Sequence, residues 1–140
     1  MESILKDKLI NEQLSSVEFV QDYLQLHFDG RTITSYIWPI INIKNESLIF
    51  GDVLYRNALC DFIGNKVKDI FFKDKEYLVL YFEEIKGSLK IDLDPNNPDI
   101  VSEIAVCGLM KYVDSKNVEN FSQICKYEYK KNEKSIFREL

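Results

Sequence analysis

The sequence predicts an α+β protein built from two pseudo-repeated units. Each unit is a helix followed by a three-strand meander, and together they form an antiparallel sheet of about six strands with helices packed on one face. Three observations predict it. Short apolar runs alternate strictly with polar residues, the period of a half-buried strand. The first half of the chain resembles the second at a nearly constant offset. The chain is 140 residues long, 46% hydrophobic and 13% aromatic, which suits one domain able to bury its own core. The units span about 2–39 and 52–95, and a C-terminal extension follows at 99–140. A half-barrel is the alternative closure of the same meanders.

The first helix covers about Glu2 to Ile10. In the second unit Asp52 stands as the N-cap of a helix with the apolar stripe Val53, Leu54, Ala58, Leu59, Phe62 and Ile63. Gly64 then falls at the C′ position. Ile10, Leu14, Val17 and Phe19 fall opposite Ile63, Val67, Ile70 and Phe72, an offset of 53. Tyr23-Leu24-Gln25-Leu26-His27-Phe28 matches Tyr77-Leu78-Val79-Leu80-Tyr81-Phe82 at 54, and Ile33, Ser35, Ile37 and Pro39 match Leu89, Ile91, Leu93 and Pro95 at 56. The offset drifts only at turns, such as Asp29-Gly30 and Lys86-Gly87, which suit positive φ. The closeness of successive strands makes them antiparallel. Past Pro98 the pattern fades. Ile104 to Met110 reads as a further strand, and Val118, Phe121 and Cys125 give one face to a short helix over 117–125. The tail from Lys126 is polar, a loose end or a solvated helix.

Lys and Arg number 18 against 23 Asp and Glu, a net charge of −5. No basic stripe exists, so nucleic acid is not expected as a direct partner. The charge is localised: from Glu76 to Glu103 seven carboxylates face two lysines. Such a face steers a basic partner, although charge also guards exposed strand edges and keeps a protein soluble. The N-terminus has no signal-peptide pattern and no stretch nears the ~18 apolar residues of a membrane span. Cys60, Cys107 and Cys125 are an odd number without C-x-x-C spacing, as for reduced, buried thiols of a cytoplasmic protein.

No residues are assigned to catalysis, to a metal or to a cofactor. His27 is the sole histidine, and no nucleophile or orienting carboxylate accompanies it in sequence. Glu83 and Glu84 are neighbours on a strand end and point apart. The five glycines are isolated, so no phosphate loop is present. Asp92, Asp94, Asn96 and Glu103 occupy positions 1, 3, 5 and 12 of a calcium loop, but Asn97 replaces its glycine and Pro95 and Pro98 interrupt it. Trp38, before Pro39 and the apolar run Ile40–Ile43, caps the core or anchors a partner.

The segments 17–30 (Val17-Glu18-Phe19 through Asp29-Gly30) and 55–64 (Tyr55-Arg56-Asn57 through Ile63-Gly64) resemble a family of small, largely uncharacterised bacterial proteins. In size, acidity and lack of a catalytic set the chain also resembles immunity proteins of contact-dependent growth inhibition toxin systems, an analogy of general character. That resemblance implies a non-catalytic cytoplasmic toxin inhibitor, an antitoxin acting by protein–protein interaction. Its partner would be a cognate basic toxin, a nuclease or similar effector. Glu83, Glu84, Asp92 and Asp94 would pair with the toxin's cations, and Trp38 would anchor it. The alternative is a small-ligand or calcium-binding domain using the 92–103 loop.

Overall fold

The computed structural model describes residues 2–97 and, beyond them, the strand backbones at 105–115, 118–128 and 136–139. The elements run α1 (Glu2–Leu9), β1 (Leu14–Val20), β2 (Tyr23–Phe28), β3 (Arg31–Ser35), β4 (Ile40–Ile43), β5 (Glu46–Leu48), α2 (Tyr55–Cys60), β6 (Val67–Lys73), β7 (Tyr77–Phe82), β8 (Gly87–Asp92), β9 (Ala105–Ser115), β10 (Val118–Glu128) and β11 (Ile136–Glu139). The architecture is α+β with antiparallel sheets and little helix. Strands alternate as their residues dictate: Leu24, Leu26 and Phe28 of β2, and Leu78, Leu80 and Phe82 of β7, are buried between half-buried neighbours.

A single sheet of about six strands is not what forms. One sheet has the order β1-β2-β3-β9-β10-β11 and the other β5-β4-β8-β7-β6. The reason lies where β1 and β6 begin. Gln13 and Lys66 make one antiparallel bridge. Around it the Leu14 amide donates to Asn65 O at 2.9 Å, the Gly64 amide to Leu14 O at 2.7 Å and the Val67 amide to Glu12 O at 3.0 Å. Both strands then bulge, between Leu14 and Ser16 and between Val67 and Asp69. A bulge bends a strand and sharpens its twist, so the two strands part and each pairs onward with its own meander.

The helices pack on different strands. α1 packs on β6: Leu5 and Leu9 are buried, and the Phe72 amide donates to Glu2 Oε2 at 2.9 Å. Lys6 Nζ lies 3.2 Å from Glu2 and 3.3 Å from Asp69. α2 packs against β1 and β4, burying Tyr55, Ala58 and Leu59 and setting the Arg56 guanidinium 5.9 Å from the Phe19 ring centroid. Each helix therefore supports the first strand of the other meander.

The Phe72 amide chiefly, with Lys6, holds the Glu2 carboxyl below its ordinary 4.5. The Ile70 amide chiefly does the same for Asp69. Folding lowers both values, so their contribution is present above the unfolded pKa and fades as pH falls through the folded one. Glu2→Gln should lower Tm at pH 7, and the gap from the parent should close below about pH 4.5. Thermal melts across pH 7 to 3 check it; a gap that holds constant would refute it.

Several expectations are corrected. Of the segment expected as a helix over 117–125, Val118 to Cys125 are strand: β10 pairs with β9 from Val118↔Ser115 to Glu128↔Ala105. The tail is not loose throughout, because Ile136–Glu139 pairs with β10. Asp52 does not cap α2, whose N-cap position is Leu54 without a side-chain bond; Asp52 Oδ2 instead accepts from the Ile49 amide. Cys60 is exposed, since α2 turns Ala58 and Leu59 inward instead; the side chains of Cys107 and Cys125 lie outside the described residues.

At the Lys86-Gly87 turn the positive φ falls on Lys86, at 52°. Gly87 is needed for closeness. A Cβ there would stand 2.9 Å from Phe62 Cζ and 3.2 Å from Asn42 O. Gly87→Ala should therefore cost about 1–3 kcal/mol through overpacking. Urea unfolding measures it, and an unchanged midpoint would refute the close approach.

Candidate docking surface

The residues expected to bind a partner separate into three places. Glu83 and Glu84 are exposed in the β7–β8 turn, where Lys68 Nζ lies 3.6 Å from Glu83. Asp92 ends β8 and Asp94 follows it, roughly 17 Å away at ~3.3 Å per residue. Trp38 lies on the β3–β4 connection. The four carboxylates thus form no single contact patch.

Asp92 and Asp94 are engaged by their own turn. Asp92 accepts from the Asp94 amide at 2.9 Å and from Asn97 Nδ2 at 3.0 Å, and Asp94 accepts from the Asn96 amide at 2.9 Å. That is the hydrogen bonding of consecutive Asx turns. Glu103 lies outside the described residues. Among the described residues no group of three His, Cys, Asp or Glu is placed to hold a metal ion.

His27 has partners that sequence separation hid. Its Nε2 lies 3.1 Å from Glu18 Oε1 and its Nδ1 2.9 Å from Thr32 Oγ1. Carboxylate, imidazole and hydroxyl stand in the order of a nucleophilic triad. The hydroxyl, however, belongs to a residue only 3% exposed on the central strand β3. Register explains the grouping: Ser16, His27 and Thr32 are cross-strand neighbours, and Glu18 is one step diagonal. Two open grooves, of about 380 and 650 Å3, flank the β4–β5 hairpin and the β1–β6 junction. In the second, Gln13 donates to Gly64 O and Ser15 to His27 O, so two of its polar groups are already engaged by the chain.

The feature that stands out is apolar. After β5 the chain makes a tight turn closed by the Asp52 amide to Ile49 O at 3.0 Å and by the Ile49 amide to Asp52 Oδ2 at 2.8 Å. Gly51 supplies its φ of 105°. The turn holds Ile49 and Leu54 at 57% exposure, Phe50 at 45% and Val53 at 96%. Buried positions for these side chains would be ordinary; four large apolar groups exposed within six residues are not.

Beneath them lies a series of packed rings. The Phe50 ring stacks on Trp38, with centroids 4.2 Å apart and planes at 10°. Trp38 in turn stacks on Phe19 at 6.2 Å and 21°. Tyr55 meets Phe50 edge-on at 5.8 Å, and its hydroxyl donates to Pro39 O, tying α2 to the connection that carries Trp38. Burial pushes the Tyr55 phenol far above its usual range, so it stays a neutral donor. Trp38 is thus half-buried, both a lid on the core and the base of the exposed ledge.

The sequence pattern assigned Val53 and Leu54 to the buried stripe of a longer helix. The helix begins only at Tyr55, which leaves both on the turn. Comparison of the chain with models of protein families, with curated proteins and with solved structures finds no match. Among the described residues no helix is long and apolar enough to cross a membrane.

Proposed function

We propose that the chain is a non-catalytic, cytoplasmic bacterial protein of immunity type, which binds and neutralises a cognate basic toxin. The contact surface is the ledge of Ile49, Phe50, Val53 and Leu54 on its Trp38 base. The observation that carries this reading is the 96% exposure of Val53 beside three other large apolar groups, braced by stacked rings. Soluble monomers seldom keep such a patch open without a use for it. Aromatic anchors on a preorganised base are what interface hot spots are made of.

The carboxylates act at a distance. All of the chain's net charge of −5 lies within residues 2–97, since the remaining residues carry seven acids and seven bases. Glu83, Glu84, Asp92 and Asp94 contribute to a field that speeds encounter with a cationic protein, while the ledge supplies the buried contact. The two helix-plus-meander units are read as an internal repeat, and the ledge lies where they join, with Trp38 from the first and Val53 and Leu54 from the second. The engaged carboxylates of Asp92 and Asp94 do not favour the calcium-loop alternative.

The test is a paired capture. Tagged parent and Val53→Asp proteins are passed through lysate of the source organism, and retained proteins are identified by mass spectrometry. A basic protein held stoichiometrically by the parent and lost by the variant is the expected result. Its equal retention by both would overturn the assignment of the surface.

A further inference from the structure

Strand register lines up four polar side chains on one face of the second sheet. Ser47 of β5 stands opposite Asn42 of β4, Asn42 opposite Ser88 of β8, and Ser88 opposite Tyr81 of β7. Partners in register share a face, so the row crosses four strands, roughly 14 Å at ~4.8 Å per step. All four residues line the groove of about 380 Å3 beside the β4–β5 hairpin. On the first sheet such groups satisfy one another: Gln25 donates to Thr34, and His27 lies between Thr32 and Glu18. Among the described residues the four side chains of this row have no such partner.

Two cations stand at one end of the row. The pairing of β4 with β8 ends at Ile43↔Gly87, and Lys44 and Lys86 are the next residues beyond that pair. Both are exposed, both line the groove, and their φ values of 51° and 52° place them at turns. Like charges on neighbouring strands repel. Among the described residues neither lysine has an ion-pair partner, and Glu46 is the one carboxylate lining the groove. Of the acids nearby, Asp69, opposite Tyr81 on β6, lies 3.3 Å from Lys6, and Glu83 lies 3.6 Å from Lys68. Glu84 shares the turn of Lys86 but does not line the groove.

We propose that this groove binds a phosphorylated sugar, a function separate from the ledge, with which it shares no residue. The phosphoryl group sits between Lys44 and Lys86 and relieves their repulsion through charge-assisted hydrogen bonds. The sugar lies along the row. The hydroxyls of Ser47 and Ser88 and the carboxamide of Asn42 both donate and accept, as sugar hydroxyls do. The half-buried Tyr81 ring meets the less polar face of the sugar. The exposed side chains that line the groove are all polar, so a nucleobase finds no apolar clamp there.

The test titrates the full chain, followed by its backbone amide NMR signals, with glucose 6-phosphate, N-acetylglucosamine 6-phosphate, free glucose and inorganic phosphate. Saturable shifts at the Asn42, Ser47 and Ser88 amides are expected with the sugar phosphates, and binding at least about tenfold weaker with glucose or phosphate alone. Lys44→Gln with Lys86→Gln should weaken the sugar phosphates roughly 3- to 30-fold. Both side chains are exposed, and the same spectra report whether the fold is kept. Val53→Asp should leave the titration unchanged. No saturable shift with either sugar phosphate would overturn the proposal, as would an unchanged affinity in the double lysine variant. Inorganic phosphate binding as tightly as the sugar phosphates would overturn the sugar and leave an adventitious ion only.

Discussion

Phe62→Ala should be the most destabilising single truncation near the β7–β8 turn, at about 3–5 kcal/mol and a fall of roughly 10–20 °C in Tm. Phe62 is fully buried just past the end of α2. Its ring meets Phe82, the last residue of β7, edge-on at 5.1 Å and 73°. It also fills the space that the missing Gly87 side chain leaves at the start of β8. One ring therefore wedges the end of α2 against both strands of a turn. Its loss opens a cavity that the backbone bonds around it, such as Phe62 N–H to Leu59 O, keep from collapsing. The same geometry predicts coupling. In a Phe62→Ala background the Gly87→Ala penalty should shrink, because the Phe62 ring atoms are gone and only the 3.2 Å approach to Asn42 O remains. Calorimetry of the four proteins of this cycle measures it, and additive penalties would rule out the wedge.

The second large effect is expected on binding and not on stability. Val53→Asp changes a side chain that is 96% exposed, so unfolding should move by no more than about 0.5 kcal/mol. Burial in an interface reverses the balance. A carboxylate pressed against Phe50 and Leu54 loses its water and gains no partner, at about 2 kcal/mol or more, or roughly 30-fold in Kd. The contrast is the content of the prediction. A fall in Tm comparable to the loss in affinity would mean that Val53 is structural after all.

How much of this was legible in sequence follows from which forces are local. The alternation in Leu24, Leu26, Phe28 and in Leu78, Leu80, Phe82 was legible because strand pleat makes it a two-residue pattern. The hairpin of β4 and β5 went unread, although its signal is local. Lys44 and Asn45 at its tip have φ of 51° and 63°, and asparagine tolerates that conformation better than most residues. The strand β10 was disguised by Val118, Phe121 and Cys125, whose spacing mimics a helix face; pairing with β9 decides the matter, and pairing is not local. Trp38 was legible as a cap on the core, against which it is half-buried. The ledge was not, because burial is a tertiary property. Val53 and Leu54 carry the same residue types as the core, and only the late start of α2 turns them outward. The partners of His27 were hidden for the same reason: strand register, not sequence distance, brings Glu18 and Thr32 to it.

The exchange of helices between the meanders predicts that residues 2–97 unfold as one cooperative unit. α1 rests on β6 and α2 on β1, and the Leu14–Gly64 bonds span fifty residues. A loop of that length must close before either first strand is supported, so this junction is expected to assemble late in folding. A chain cut within the 49–54 turn would yield halves that each lack their helical support. Neither should fold alone, whereas mixing them should restore the native fold. The same logic exposes a hazard: a chain that opens at this turn can find its missing support in a second molecule, so crowded refolding should yield interlocked dimers by domain swapping.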